Sequence, residues 1–307
     1  MGCEGVRVSK TIVVGASSNW RDYAFCVPLA SLLWRDVVGF TPYWYLIGTK
    51  EDWEKPLRNK AVTNALTEWG IGFERVEPIE GYEVSTQAQN IRHHATCGNS
   101  DDWLMMTDAD LFPMKRDFYH QHDSTSARAR AVCYYSNGNN FISKENVLEI
   151  AGKGGEFQDL PTCHLTMKAR TWRELFGNAG MTARDSMKRT LDAWLRPRQE
   201  GKIPSEASWQ AWLSDQRIST EKLCHSSWFP QEATLIQRDG QPPRDRLDRA
   251  HPNDWKPMDV TKWTDCHTLR PADVDANWEY VRPIFAALVP QHMEAIDGYR
   301  KAFTLGY

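Results

Sequence analysis

Short apolar runs alternate with longer stretches of helical spacing along the first half of the chain. Thr11–Ala16 (TIVVGA) is rich in β-branched residues and predicts a first core strand, with Gly15 allowing a close turn. Thr41–Gly48 (TPYWYLIG), Phe73–Val76 and Trp103–Met106 (WLMM) predict three more. Between them, Arg21–Val37 carries an apolar stripe at Leu29, Leu32 and Leu33, with Pro28 close to the first helical turn. Glu51–Trp69 and Val84–Ala95 have helical spacing as well. This alternation predicts an α/β fold.

The later chain is less regular. Ala131–Phe141 reads as a strand entering an amide-rich turn, and the segment from Cys163 to Gly177 changes from strand to helix near Ala169. Gly152–Gly155 and the passage to Pro161 predict a connecting or acceptor-side loop. Ala183–Leu195 predicts an amphipathic helix ended by Pro197, and Trp278–Phe285 reads as packing rather than chemistry. There is no internal repeat and no low-complexity linker.

With 307 residues the chain has the length of one large α/β domain or two smaller ones. The net charge of -3 gives no electrostatic reason to expect nucleic acid, and the basic stretches Arg184–Arg198 and Arg238–Arg249 carry compensating acids. Seven dispersed cysteines without a Cys-X-X-Cys pair predict a reduced, intracellular protein rather than a disulfide scaffold. Neither a signal-like leader nor a membrane-length apolar run is present, so a soluble cytoplasmic enzyme is expected.

The chemistry concentrates in Asp101–Met114 (DDWLMMTDADLFPM). A buried strand runs into Asp108 and Asp110, which are one residue apart, and Pro113 discourages further regular pairing. Two carboxylates at a strand end can hold one hard cation, whereas burying them without a cation or donors is costly. The alternative is a solvated turn. His267, in Thr261–Pro271 (TKWTDCHTLRP), could complete that metal shell, contact diphosphate or be structural, and Asp265 lies two residues before it. Ser17, Ser18 and Asn19 offer polar groups after the first strand. Gln89 and Arg92 share a helix face suited to a phosphate or sugar, or to an ion pair and a cap. Asp215, beside Trp209 and Trp212, is a base for an acceptor hydroxyl, a helix cap or a partner in an exposed salt bridge.

Taken in order, TIVVGASSNWRDYAF, LLWRDVVGFTPYWYLIG, QAQNIR, DDWLMMTDADLFPM, LPTCHLTMKARTWRELF, WLSDQ, RDRLDR and TDCHTLRP resemble A-fold (GT-A) glycosyltransferases that use a DxD motif. They look most like those of large DNA viruses, which would place the protein in a virus-infected host cell. The resemblance implies a mixed, mainly parallel sheet flanked by helices. It implies a single glycosyltransferase domain, with nucleotide-sugar binding over about 1–115 and acceptor binding and catalysis over about 116–307. It places Asp110 in direct contact with Mn²⁺ or Mg²⁺, Asp108 in the donor or metal shell, and His267 as the late ligand. Ser17, Ser18, Asn19, Tyr23, Gln89 and Arg92 would hold a nucleotide-sugar, with UDP the preferred nucleotide. Asp215 would be the base of an inverting transfer to a glycan hydroxyl, or would orient the acceptor in a retaining one, with Arg246, Asp248 and Arg249 on the acceptor side. A metal-dependent phosphatase and a non-catalytic carbohydrate-binding protein are the competing readings.

Overall fold

Four of the apolar runs become the parallel part of one sheet in the computed structural model, which describes residues 10–124, 129–134, 162–203, 211, 214–229, 231–236, 246–256 and 259–306. The expected loop at Gly152–Gly155 and the residues Trp209 and Trp212 lie outside that range, as does the chain from residue 135 to Phe141. The strands are β1 (Thr11–Ser18), β2 (Thr41–Ile47), β3 (Gly72–Val76), β4 (Trp103–Met106), β5 (Leu111–Pro113), β6 (Ala131–Tyr134), β7 (Leu165–Lys168), β8 (Ala233–Ile236), β9 (Arg246–Asp248) and β10 (Asp265–His267). The main sheet runs β3-β2-β1-β4-β7-β6-β8, and β5-β10-β9 form a small second one. β3, β2, β1 and β4 are mutually parallel, while β7 runs antiparallel to both β4 and β6. The protein therefore has an α/β fold with a mixed, mainly parallel sheet flanked by helices.

Alternation along β1 explains why the sheet is covered on both faces. Val13 joins one apolar cluster with Phe25, Leu29, Trp34 and Trp44, whereas Ile12, Val14 and Ala16 join the other with Tyr45, Leu104 and Met106. Gly15 lies inside β1, opposite Trp44 of β2, and a Cβ there would sit 2.1 Å from the Trp44 ring. Close side-chain approach, rather than the expected turn, accounts for that glycine.

Two expected helices are divided by proline. Arg21–Val37 becomes Arg21–Ala24, Cys26–Leu32 and a wider π-type turn over Leu33–Val38. Pro28 has no N–H for the Ala24 carbonyl, where the first segment stops. Glu51–Trp69 divides into Lys50–Glu54 and Leu57–Glu68 around an extended Pro56. The Asp52 carbonyl that Pro56 cannot serve accepts Asn59 Nδ2 at 2.6 Å instead. Pro113 is tolerated within β5, paired opposite Asp265, because β5 is an edge strand. Trp278–Phe285 lies in the helix Asp275–Leu288 and buries Trp278, Val281, Ile284 and Phe285. Among the described residues no helix is long and apolar enough to cross a membrane.

Candidate functional site

The crevice opens at the carboxyl end of β1 and β4, where the strand order reverses and open α/β sheets leave room for ligands. The Thr107 N–H still bonds the Val14 carbonyl at 3.0 Å, so the acidic turn starts where the sheet ends. β5 then leaves the main sheet and pairs antiparallel with β10, which sets His267 opposite Leu111, the residue after Asp110. Alternation on β10 buries Cys266 on one side and turns Asp265 and His267 to the other. Asp108, Asp110 and His267 each offer a ligand atom, all within 4.8 Å of one another.

This donor set suits a divalent cation. Two carboxylates and an imidazole are ordinary ligands for Mn²⁺ and are compatible with Mg²⁺. His267 Nε2 is buried without a hydrogen-bond partner and lies 3.6 Å from Asp108 Oδ2, beyond hydrogen-bonding reach. Buried polar atoms are seldom left unmatched, and a cation answers both groups. Asp110 is almost fully buried and ion-paired to Arg249 Nη1 at 2.6 Å, with Arg270 Nε 3.4 Å away.

Arg92 ties the acidic turn to the far side of the crevice. It is buried and donates from Nη1 to the Thr107 carbonyl at 2.8 Å and to Asp108 Oδ1 at 2.6 Å, and from Nη2 to Asp215 Oδ2 at 2.8 Å. Its Nε donates to the Gln89 carbonyl at 3.1 Å, so the guanidinium is bound on every side. Burial opposes the charged form of Asp108, but Arg92 and His267 outweigh it and hold the carboxyl far below its ordinary range. Asp215 shifts the other way. Burial and the neighbouring Asp108 raise it, more than Arg92, Thr162 and the Gln216 backbone lower it. Thr162 Oγ1 donates to the same Oδ2 at 3.0 Å. Asp215 opens the helix Ser214–Cys224 and lines the crevice wall.

Around these groups lies a cavity of about 480 Å³, lined from the N-terminal part by Ser17, Ser18, Tyr23 and Gln89 and from the C-terminal part by Asp215, Arg249, His267 and Arg270. Ser17 Oγ donates to the Ser18 carbonyl and Ser18 Oγ accepts the Trp20 N–H, leaving Gln89 Oε1 as a buried acceptor without a partner. The Tyr23 hydroxyl accepts a bond from Arg270, whose guanidinium also lies over the ring. Asn19 is half-buried and does not line the cavity.

Three groups depart from the sequence reading. Asp265 is fully buried and bound to Arg246 and the Tyr119 hydroxyl, outside the metal cluster. Asp248 and Arg249, expected on an acceptor side, lie against His267 and Asp110 of the acidic cluster. Trp20, Gln216 and Arg270 line the cavity without having been singled out. Trp20 follows the SSN segment directly and Arg270 follows His267 by three, so proximity to a flagged motif was the available signal.

No protein-family model matches this chain, and no curated protein sequence does. Among solved structures the chain is similar to the galactosyltransferase LgtC in complex with donor and acceptor sugar analogues, at 13% identity over 91% of this chain and 96% of that one, TM-score 0.48. It is also similar to the apo bifunctional glycosyltransferase WbbM, at 11% identity over 96% and 52% of the two chains, TM-score 0.47. A third is the glycosyltransferase GlyE of Streptococcus pneumoniae TIGR4, at 10% identity over 93% and 64%, TM-score 0.44. At such identities and scores, function has to be read from this chain's own side chains.

Proposed function

We propose that the protein is a metal-dependent glycosyltransferase that moves a sugar from a nucleotide-sugar, UDP-linked by preference, to a glycan hydroxyl. The observation that carries this reading is the Asp108–Asp110–His267 cluster on the floor of a crevice at the sheet's carboxyl end. Charge supports a diphosphate in particular. Arg92, Arg249 and Arg270 face Asp108, Asp110 and Asp215 in that crevice, so its fixed charges nearly balance. A divalent cation adds two positive charges, which a nucleoside diphosphate answers. When bound, Mn²⁺ or Mg²⁺ neutralises charge developing on the leaving diphosphate.

This chain's own residues do the remaining work. Asp108, Asp110 and His267 hold the cation, and Arg249 and Arg270 face the diphosphate. Ser17, Ser18, Tyr23 and Gln89 supply donors and acceptors for the nucleoside and sugar, with exposed Trp20 at the rim. Arg92 holds Asp108 and Asp215 in place. Asp215 accepts the proton of the acceptor hydroxyl as it attacks the anomeric carbon, which inverts that centre. One observation favours a second stereochemical reading. Both Arg92 and Thr162 bond Asp215 Oδ2, a geometry suited to orienting rather than deprotonating, and that reading pairs with retention.

The test is calorimetric binding of UDP and a panel of UDP-sugars with and without Mn²⁺, followed by turnover with candidate glycans. Wild type should bind only with the metal, and Asp110→Asn should lose that binding. Asp215→Asn should keep binding while transfer falls by about 100-fold or more, the scale of general-base catalysis. Metal-independent binding, or release of inorganic phosphate through a phosphoenzyme, would sink the proposal. Normal transfer by folded Asp215→Asn would remove Asp215 as base, and the product anomer decides between inversion and retention.

A further inference from the structure

A histidine can present only one nitrogen to a cation, so a neighbour must hold the proton on the other. In His267 it is Nε2 that faces Asp108: it is buried, makes no hydrogen bond and lies 3.6 Å from Asp108 Oδ2. Nδ1, on the opposite edge of the ring, lies 3.4 Å from Asp248 Oδ2. The two residues are register partners across β9 and β10, so two paired backbones set the contact. Asp248 is itself anchored. Its Oδ1 accepts the Ala250 N–H at 2.8 Å, and its carbonyl accepts the His251 N–H at 2.9 Å and Trp255 Nε1 at 3.1 Å. On the same ladder, two residues away, Arg246 is engaged with Asp265 through two bonds of 2.8 and 3.2 Å.

We propose that Asp248 is the positioning residue of the cation site: it holds the proton on His267 Nδ1 and so turns the Nε2 lone pair toward Asp108 and Asp110. Asp248 occupies no ligand position, since it approaches the edge of the ring that faces away from the cluster. A carboxylate behind a ligating imidazole fixes the ring's orientation and strengthens its donor nitrogen. The inference rests on the metal-binding reading proposed for this site.

Two readouts test it on the full chain. The first is nitrogen NMR of histidine-labelled, metal-free protein at a pH where the ring is neutral, with the His267 signals assigned through His267→Gln. The expected result is the Nδ1–H tautomer, and an Nε2–H tautomer would overturn the inference without any Asp248 variant. The second is Mn²⁺ binding, read from the electron paramagnetic resonance of the free ion. Asp248→Ala should weaken binding by about 10- to 100-fold, and Asp248→Asn, which retains an oxygen acceptor, should recover most of that loss. A folded Asp248→Ala protein with wild-type Mn²⁺ affinity would also overturn it. If wild type bound no Mn²⁺ while showing the Nδ1–H tautomer, the metal assignment would fail and the tautomer assignment would stand.

Discussion

Arg92 shows how much one side chain can decide. Helical spacing puts it on the same face as Gln89, where it suits a phosphate or sugar, or a surface ion pair. The fold instead buries it between Asp108 and Asp215, which lie 16 and 123 residues away in sequence. Removing one partner of a buried charge network leaves the others uncompensated, at a cost of about 3–5 kcal/mol. Arg92→Met should therefore lower unfolding free energy by about that amount in urea titrations at constant pH. Arg92→Lys should recover only part of it, because a single ammonium cannot fork to both carboxylates. A loss below about 1 kcal/mol in Arg92→Met would mean that the network contributes little to the fold.

Among the elements, β1 was the most legible and also held a misread residue. Its β-branched run predicts a strand because such side chains suit a pleated, packed surface. From the sequence, Gly15 permits a close turn, because glycine lacks a Cβ. Its actual cause lies in β2, where the buried Trp44 ring fills the space above it and donates from Nε1 to Ser31 Oγ at 2.7 Å. Gly15→Ala should destabilise the protein by about 1–3 kcal/mol, the range for overpacking a full core. Pairing it with Trp44→Leu tests the contact, because the double variant should be more stable than the sum of the single losses predicts. Strict additivity in denaturant titrations would show that Gly15 is needed for another reason. The proline-divided helices follow the opposite rule: Pro28 and Pro56 act locally and their effects were open to sequence reading.

For the whole molecule, His93 and His94 join three helices beneath the sheet. His93 Nδ1 bonds Ser219 Oγ, and His94 Nδ1 bonds Ser186 Oγ at 2.7 Å, with Trp172 and Phe176 against the rings. Burial, reinforced by Arg92 for His93 and by Lys222 and Arg189 for His94, opposes their charged forms. His93 falls well below the ordinary histidine range and His94 to about 3. Both are neutral in the folded and unfolded states above about pH 6.5; below it the unfolded chain takes up protons that the folded one refuses. Stability should then fall with decreasing pH, by about 1.4 kcal/mol per pH unit for each histidine. Burial and Arg246 oppose the charged form of His267, but Asp108, Asp248 and Asp110 outweigh them, so in the metal-free protein its contribution has the opposite sign. Comparing His94→Gln with wild type in urea at about pH 7 and pH 5.5 isolates one contribution. The variant should have the shallower pH dependence, and an unchanged slope would refute the assignment. By itself the sequence determined the alternation of strands and helices, because each rests on spacing within a few residues. It also exposed Asp108 and Asp110, which share one turn. His267 and Asp215 were expected near them from the resemblance alone; only the tertiary structure decided how closely these approach and that Arg249 and Arg270 join them. Ligand contacts need ångström precision, and between distant segments that is set by the pairing of β5 with β10 and of β9 with β10 and by the burial of Arg92.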